Sequence, residues 1–259
     1  MNIEIKIMHK IILITGATSG FGLATARLFA KNGHRLIITG RREDRLKKLA
    51  GDLKSEFGVE VLPLVFDVRD SNAVQAAADS LSEAWRNIDV LVNNAGLAVG
   101  LGPIQEGVLD DWERMIDTNV KGLLYVTRAF SPFMIARNKG HIINIGSIAG
   151  KEVYPNGNVY CATKHAVDAL SKAMRTDMLK HGIKVTQIAP GAAETEFSVV
   201  RFKGDQAAAD TFYKGFDPLT GEDIAELVYY VTTLPAHVCI NDMVVMPTAQ
   251  ASAANILRS

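Results

Sequence analysis

Short apolar runs that end in glycine, proline or an acid alternate along this chain with stretches of helical period. Lys10 to Thr15 (KIILIT) is a β-branched run without polar alternation, the pattern of a strand covered on both faces in a parallel sheet. Leu23 to Asn32 has helical period, and Gly33 stands where glycine usually stops a helix. The alternation continues with a strand at Leu36 to Thr39, a charged amphipathic helix at Glu43 to Phe57, a strand at Val61 to Phe66 that runs into Asp67, a helix at Ala73 to Trp85, and a strand around Val90 in DVLVNNAG. Trp112 to Asn138 predicts one long helix, kinked near Pro132. His141 to Ile145 is a fifth strand, Asn158 to His181 a second long helix, and Lys184 to Ile188 a sixth strand that runs into Pro190 and Gly191. Thr195 to Thr220 lacks clear periodicity and follows a strand tip, so it is expected to form a lid over a site. Met1 to Met8 alternates apolar and polar residues and reads as a short extra strand or a ragged start.

Strand, helix, strand with short connections predicts an α/β fold: a single doubly wound parallel sheet with helices on both faces, of Rossmann type. No Pro-, Gly- or Ser-rich linker and no solenoid-period repeat divides the chain, so residues 1–259 read as one domain. Acidic and basic residues balance at 28 each. Such a chain has no strong field to gather nucleic acid or anionic lipid. No apolar run is long enough for a bilayer, and the N-terminus lacks a signal-peptide core. Two distant cysteines, Cys161 and Cys239, form no disulfide framework, which fits a reducing cytoplasm. The 6 histidines have no ligand spacing, so no catalytic metal is expected.

The first βα turn carries Gly16-Ala17-Thr18-Ser19-Gly20-Phe21-Gly22. Gly16 permits a tight turn, Gly20 lets the backbone approach a pyrophosphate, and Gly22 lets the helix pack on the strand. The helix N-terminus offers free N–H groups and a positive dipole end to phosphate. The spacing is G-x-x-x-G-x-G rather than the commoner G-x-G-x-x-G, and a tight βα connection alone would also need glycine. At the second strand tip the residue type distinguishes the cofactors: an acid holds a free ribose 2′-hydroxyl, an arginine a 2′-phosphate. Here Arg41 and Arg42 stand at the tip, and the first acids, Glu43 and Asp44, fall on the following helix. These arginines predict NADP; the competing reading is two solvated charges at a helix start.

Tyr160 and Lys164 lie one helical turn apart, so their side chains share a face. A tyrosine must drop from about 10 to near 7 to act as a base at neutrality, a cost of about 4 kcal/mol. An ammonium about 4 Å away supplies roughly that at an effective dielectric near 20. The pair can therefore do general acid–base work, and an oxidised nicotinamide ring adds positive charge. Ser147, at the tip of the fifth strand, can hydrogen-bond a reacting oxygen or merely cap a turn. Asn119 is an odd residue inside a helix unless its amide holds backbone or water.

Taken in order, the glycine turn, Asn93-Asn94-Ala95-Gly96, Asn119, Ser147, Tyr160-Cys161-Ala162-Thr163-Lys164 and Pro190-Gly191 resemble the short-chain dehydrogenase/reductase family. Ser147 also precedes Tyr160 by thirteen residues, as the family pattern has it. The resemblance implies roles: Tyr160 as catalytic acid/base, and Lys164 as the residue that holds the nicotinamide ribose and lowers the tyrosine pKa. It implies that Ser147 orients the substrate oxygen and Asn119 anchors a water in a proton relay. Asp67 and Val68 should border the adenine, Asn94 should line the cofactor cleft, and Pro190, Gly191, Ala192, Ala193 and Thr195 should contact the nicotinamide end. It also implies a homotetramer in which the two long helices pack between subunits.

Gly191 to Ser198, Val200 to Asp205 and Leu234 to Val238 resemble a subgroup of that family, the NADP-dependent 3-hydroxy acid dehydrogenases. That likeness implies a small-molecule 3-hydroxy acid substrate of the serine, allo-threonine or 3-hydroxypropionate type. Ala192-Ala193 depart from the bulkier residue and glycine expected there, which touches substrate preference and not the chemistry. A carboxylate needs a cation, and Arg201 and Lys203 on the expected lid are the candidates; both could also be solvated loop charges. The alternatives are a broad carbonyl reductase, a 3-oxoacyl reductase (whose basic carrier-protein surface the balanced charge does not support), a non-catalytic NADP-binding regulator, and a structural protein. A nucleotide-sugar epimerase would need a longer chain.

Overall fold

The computed structural model describes residues 9–259; the expectation for Met1 to Met8 falls outside them. Seven parallel strands run in the order β3-β2-β1-β4-β5-β6-β7. They are β1 (Ile11–Ile14), β2 (Arg35–Gly40), β3 (Val61–Val65), β4 (Ile88–Asn93), β5 (Gly140–Ile145), β6 (Ile183–Pro190) and β7 (Asp242–Val245). The strand order reverses between β1 and β4, and in such sheets ligands bind outside the carboxyl ends at that point. The side chains of β1 show why the sheet is apolar throughout. Ile12 and Ile14 join one core cluster, Ile11 and Leu13 the other, because successive residues point to opposite faces.

On one face pack α1 (Gly20–Lys31), α2 (Glu43–Phe57) and α10 (Gly221–Thr233), through Phe29, Leu46, Leu53, Ile224 and Val228. On the other pack α3 (Ser71–Asp79), α6 (Leu123–Ile135) and α7 (Asn158–Asp177), through Val74, Phe130, Met134 and Val167. The expected helix at Ala73 to Trp85 is two pieces, α3 and α4 (Glu83–Arg86), because Leu81 dives into the core between them. The expected long helix at Trp112 to Asn138 begins at α5 (Leu109–Ile116) and is interrupted by a wide π turn at Asp117–Gly122; Pro132 lies within α6. Gly122 admits that turn beside Val68, since a Cβ there would stand 2.7 Å from the valine Cγ2. The second long helix stops at Asp177, before a 3-10 turn at Leu179–His181. The stretch from Thr195 to Thr220, expected to lack period, holds α8 (Glu196–Arg201) and α9 (Gln206–Phe212), capped by Thr195 and Asp205.

Two buried histidines make the fold sensitive to acid. Burial holds His34 down to about 4, with the Lys10 charge adding to the effect. Burial and then Lys184 hold His141 down to about 3. In the unfolded chain both titrate near 6.5. The unfolded state therefore binds more protons between those values, and stability present above about pH 6.5 is lost as pH falls. Tm is expected to drop between pH 7 and pH 5, each histidine removing roughly 1 kcal/mol per pH unit below about 6.5. Scanning fluorimetry across that range reads this directly, and a flat Tm would contradict it.

Candidate active site

The glycine turn lies at the switch point between β1 and β4. Gly16 and Gly20 have φ of 65° and 50°, a left-handed backbone that side chains disfavour. A Cβ on Gly22 would collide with the Gly16 carbonyl and the Asn94 amide. Asn94 donates from Nδ2 to the carbonyls of Thr15 (2.8 Å) and Gly16 (3.2 Å), so its side chain holds the turn in shape. The N–H groups of Asn94 and Ala95 both donate to Thr15 Oγ1 at 3.0 Å. Ala17 is buried and donates to Thr39, and Phe21 packs against the core.

Arg42 reaches back over this turn. Its Nη2 donates to Thr18 Oγ1 (2.9 Å) and Ser19 Oγ (3.0 Å), and its Nη1 pairs with Glu196 on α8 at 3.2 Å. Arg45 pairs with the same glutamate at 3.1 Å. Arg41 lies 3.8 Å from Asp67. Burial opposes ionisation of the Asp67 carboxyl, but hydrogen bonds from Arg69 and the Arg41 charge keep it below its ordinary value. Val68 is buried beside it. The sequence-derived residues around the adenosine end are thus brought together.

The second cluster sits at the ends of β5, β6 and α7. Ser147 Oγ accepts from the Ala149 N–H at 3.1 Å and donates to the Pro190 carbonyl at 3.4 Å, so the serine caps a turn and also faces Tyr160. Lys164 is buried, and its Nζ donates to the Ile145 carbonyl at 2.9 Å. Burial lowers it to about 8. Its Nζ stands 5.9 Å from the Tyr160 ring centroid. Burial and the neighbouring Tyr154 push the Tyr160 hydroxyl above its ordinary value, and hydrogen bonding to Ser147 and the Arg201 charge pull the other way. Without cofactor, burial is the largest influence on the Tyr160 hydroxyl and acts against the lowering expected from Lys164.

Asn119 lies in the π turn, a kind of irregularity often found at functional sites. Its Oδ1 accepts from Leu97 N–H (2.8 Å), and its Nδ2 donates to the Leu97 carbonyl (2.8 Å) and Thr163 Oγ1 (3.0 Å). Both Nδ2 protons are taken by protein, so the amide ties the loop after β4 to α7, and Oδ1 keeps one lone pair free to accept from a water.

The segment after β6 closes the site. Gly191 donates to Val245, and Ala192 donates to Gln250 Oε1 at 2.7 Å. The Ala193 carbonyl accepts from Tyr213 Oη at 2.7 Å, and Thr195 lies against Gly20. Phe197 packs on the Tyr160 ring with centroids 5.8 Å apart. Arg201, at the end of α8, donates from Nη2 to Tyr154 Oη at 2.9 Å, and its guanidinium carbon is 5.9 Å from the Tyr160 ring centroid. Lys203 instead pairs at 2.7 Å with the buried Asp111. A cavity of about 410 Å³ opens here, lined by Val99, Leu101, Trp112, Met115, Tyr160 and Arg201 among others. Sequence reasoning passed over Tyr154, Phe197, Glu196 and Gln250. Only Glu196 carried a signal, an acid in the first turn after the Thr195 cap.

Comparison with known proteins places this geometry. The profile of the short chain dehydrogenase family matches residues 10–206. The chain belongs to that family. As a short-chain dehydrogenase it is 53% identical over 244 residues to an NADP-dependent 3-hydroxy acid dehydrogenase, YdfG, of Salmonella typhi, covering 94% of this chain and 97% of the relative. It is 52% identical over 245 residues to sulfoacetaldehyde reductase 2 of Chromohalobacter salexigens, covering 94% of this chain and 96% of the relative. The closed form of a serine dehydrogenase complexed with NADP+ superposes with a TM-score of 0.90 at 49% identity, covering 96% of this dehydrogenase and all of that chain. The seven-stranded parallel sheet is that of the family, whose members are oxidoreductases. Among the described residues no helix is long and apolar enough to cross a membrane, and no His, Cys, Asp and Glu cluster could hold a metal.

Proposed function

We propose that this dehydrogenase transfers a hydride between NADP and the 3-hydroxyl carbon of a small 3-hydroxy acid. The observation that carries the substrate class is Arg201, whose guanidinium lies over Tyr160 in the cavity without a carboxylate partner among the described residues. Its Nε is buried and has no partner. A planar guanidinium suits bidentate carboxylate binding. Lys203 is already neutralised by Asp111, which favours Arg201 of the two. In serine, 3-hydroxypropionate and malonic semialdehyde the carboxyl carbon lies two bonds from the reacting carbon. Sulfoacetaldehyde carries its anionic sulfur at the same remove, so the two kinds of relative support one arrangement of reacting carbon and cation.

NADP, when bound, supplies the hydride carrier. The chain's fit to it rests on the glycine turn at the N-terminus of α1, on Arg42 beside Thr18 and Ser19, and on Arg41 beside Asp67. Asp67, Val68 and Asn94 border the cleft, and Lys164 and the 190–195 segment lie at its other end. Tyr160 holds or releases the proton of the reacting oxygen, Ser147 orients that oxygen, and Asn119 braces the loop after β4 against α7. The α8 and α9 segment acts as the lid, since Phe197 and Arg201 reach the site from it. The whole chain works as one catalytic domain in the cytoplasm; both cysteines are free. It assembles as a homotetramer through the α5–α6 and α7 faces, with Leu109, Ile116 and Leu124 exposed on α5 and α6; sedimentation would test this.

The substrate reading is tested with serine, allo-threonine, 3-hydroxypropionate and neutral alcohols, followed by NADPH absorbance. Arg201→Ala is expected to lower kcat/KM for the acids by roughly 10- to 10²-fold, the worth of a charge-assisted contact, and for neutral alcohols by less than about threefold. Equal losses for both would remove Arg201 from carboxylate binding.

A further inference from the structure

Arg201 ends a helix of six residues, too short to hold a long side chain in place. Three contacts fix it. The Gly100 N–H donates to the Arg201 carbonyl at 3.1 Å. Two residues on, Lys203 adopts φ 55° and pairs with Asp111. Among the described residues the guanidinium's hydrogen bond is to Tyr154, 2.9 Å from Nη2, with that ring's centroid 5.2 Å from the guanidinium carbon. Tyr154 stands on the loop between Ser147 and α7, on the opposite wall of the cleft from α8. Its ring lies against Gly157, where a Cβ would collide with it.

We propose that Tyr154 is a positioning residue, whose hydroxyl holds the Arg201 guanidinium over Tyr160 so that the substrate carboxylate meets a preset cation. The proposal rests on the carboxylate role of Arg201 given above. It follows from how the donors are divided. A guanidinium presents five N–H donors in a fixed fork. Tyr154 takes one from the Nη2 side, while Nε is buried without a partner. Anchoring one arm therefore leaves other donors turned toward the cavity instead of free to rotate into solvent. Tyr154 accepts this bond as a neutral phenol, since burial keeps its hydroxyl above the ordinary value. A carboxylate in its place would neutralise Arg201, as Asp111 does Lys203. A phenol orients the cation and leaves its charge available.

Tyr154→Phe removes the oxygen and keeps the ring beside Gly157, so the fold is retained. The variant is expected to raise KM for serine by roughly 5- to 20-fold, a part of what a hydrogen bond to a charged group contributes. For acids kcat, and for a neutral alcohol kcat/KM, should change by less than about twofold on the same scale. In an Arg201→Ala background the same substitution should have no further effect on serine, because two residues acting as a unit are non-additive. Unchanged KM for serine in Tyr154→Phe would overturn the proposal. A KM rise that persists in the Arg201→Ala background would overturn it too, by making Tyr154 a direct substrate contact. Equal loss for serine and the neutral alcohol would overturn it as well, because holding Arg201 in place affects acids alone. Failure of the carboxylate reading is seen separately, in Arg201→Ala alone, and would take this proposal with it.

Discussion

Tyr160→Phe is expected to lower kcat for 3-hydroxy acid oxidation by roughly 10²- to 10⁴-fold, the usual worth of a positioned proton acceptor, with the Kd for NADPH kept within about twofold. Alcohol oxidation must remove a hydroxyl proton, and carbonyl reduction must return one; a phenyl ring can do neither. The ring's packing on Phe197 survives the substitution, so the lid contact is retained. The pH profile gives a second check. Burial holds the Tyr160 hydroxyl above its ordinary value, so the free enzyme rests as the phenol at neutrality. The phenol is the form that reduction needs. The basic form, needed for oxidation, grows as pH rises toward the pKa, so kcat/KM for oxidation should climb between pH 7 and 9 while reduction stays flatter. Lys164, lowered to about 8, loses its charge over the same range, and the climb should bend above that value. Steady-state rates in both directions, followed by NADPH absorbance, would show it. Full activity in the phenylalanine variant, or an unchanged pH slope, would displace Tyr160 from the proton-transfer role.

The residues of this site were legible where they depend on local spacing. The glycine turn sits between an apolar run and a helical period, and Tyr160 and Lys164 share a helix face, so short-range pattern locates them. Six of the seven strands were legible as short apolar runs between turn signals, five of them largely buried and the edge strand β3 only half-buried. The seventh was not. Asp242 to Val245 is four residues long with alternating exposure at the sheet edge, and carries no such run. The π turn at Asp117–Gly122 was hidden too, because one extra residue in a helical repeat shifts the phase without ending the period. Asn119 looked misplaced in a helix; its amide is employed on Leu97, which only the fold brings near. Tyr154 and Gln250 had no signal at all. Gln250 supports Ala192 from fifty-eight residues downstream, and Tyr154 meets Arg201 across the cleft from forty-seven residues upstream. Such contacts are tertiary, and residue type at one position does not announce them.

Replacing Arg41 and Arg42 together by alanine is expected to cut the preference for NADPH over NADH by roughly 10- to 10³-fold in kcat/KM. Each charge-assisted contact to a phosphate contributes about 1.5–3 kcal/mol. That figure is discounted here, since the two side chains are 59% and 43% exposed and share their field with solvent. Arg42 should carry the larger share. Its fork is already turned onto Thr18 and Ser19 at the glycine turn, whereas Arg41 lies at the outer edge beside Asp67. Loss of Arg42 does not free the lid, because Arg45 still holds Glu196. kcat at saturating cofactor should therefore change little, and the effect should appear in KM for NADPH and shrink at high salt. A preference retained in the double variant would assign the arginines to the helix start alone. The substitution removes selectivity without reversing it. An acid at the strand tip is needed to hold a free 2′-hydroxyl, and the first acid in sequence after the tip, Glu43, faces Lys47 on α2. The strand tip itself offers no room for one. At Gly40 a Cβ would stand 3.0 Å from Thr18 Cγ2, so an aspartate there would press on the glycine turn that both cofactors need. The variant should accept NADH and NADPH alike, because this site discriminates by attracting a phosphate and not by holding a hydroxyl.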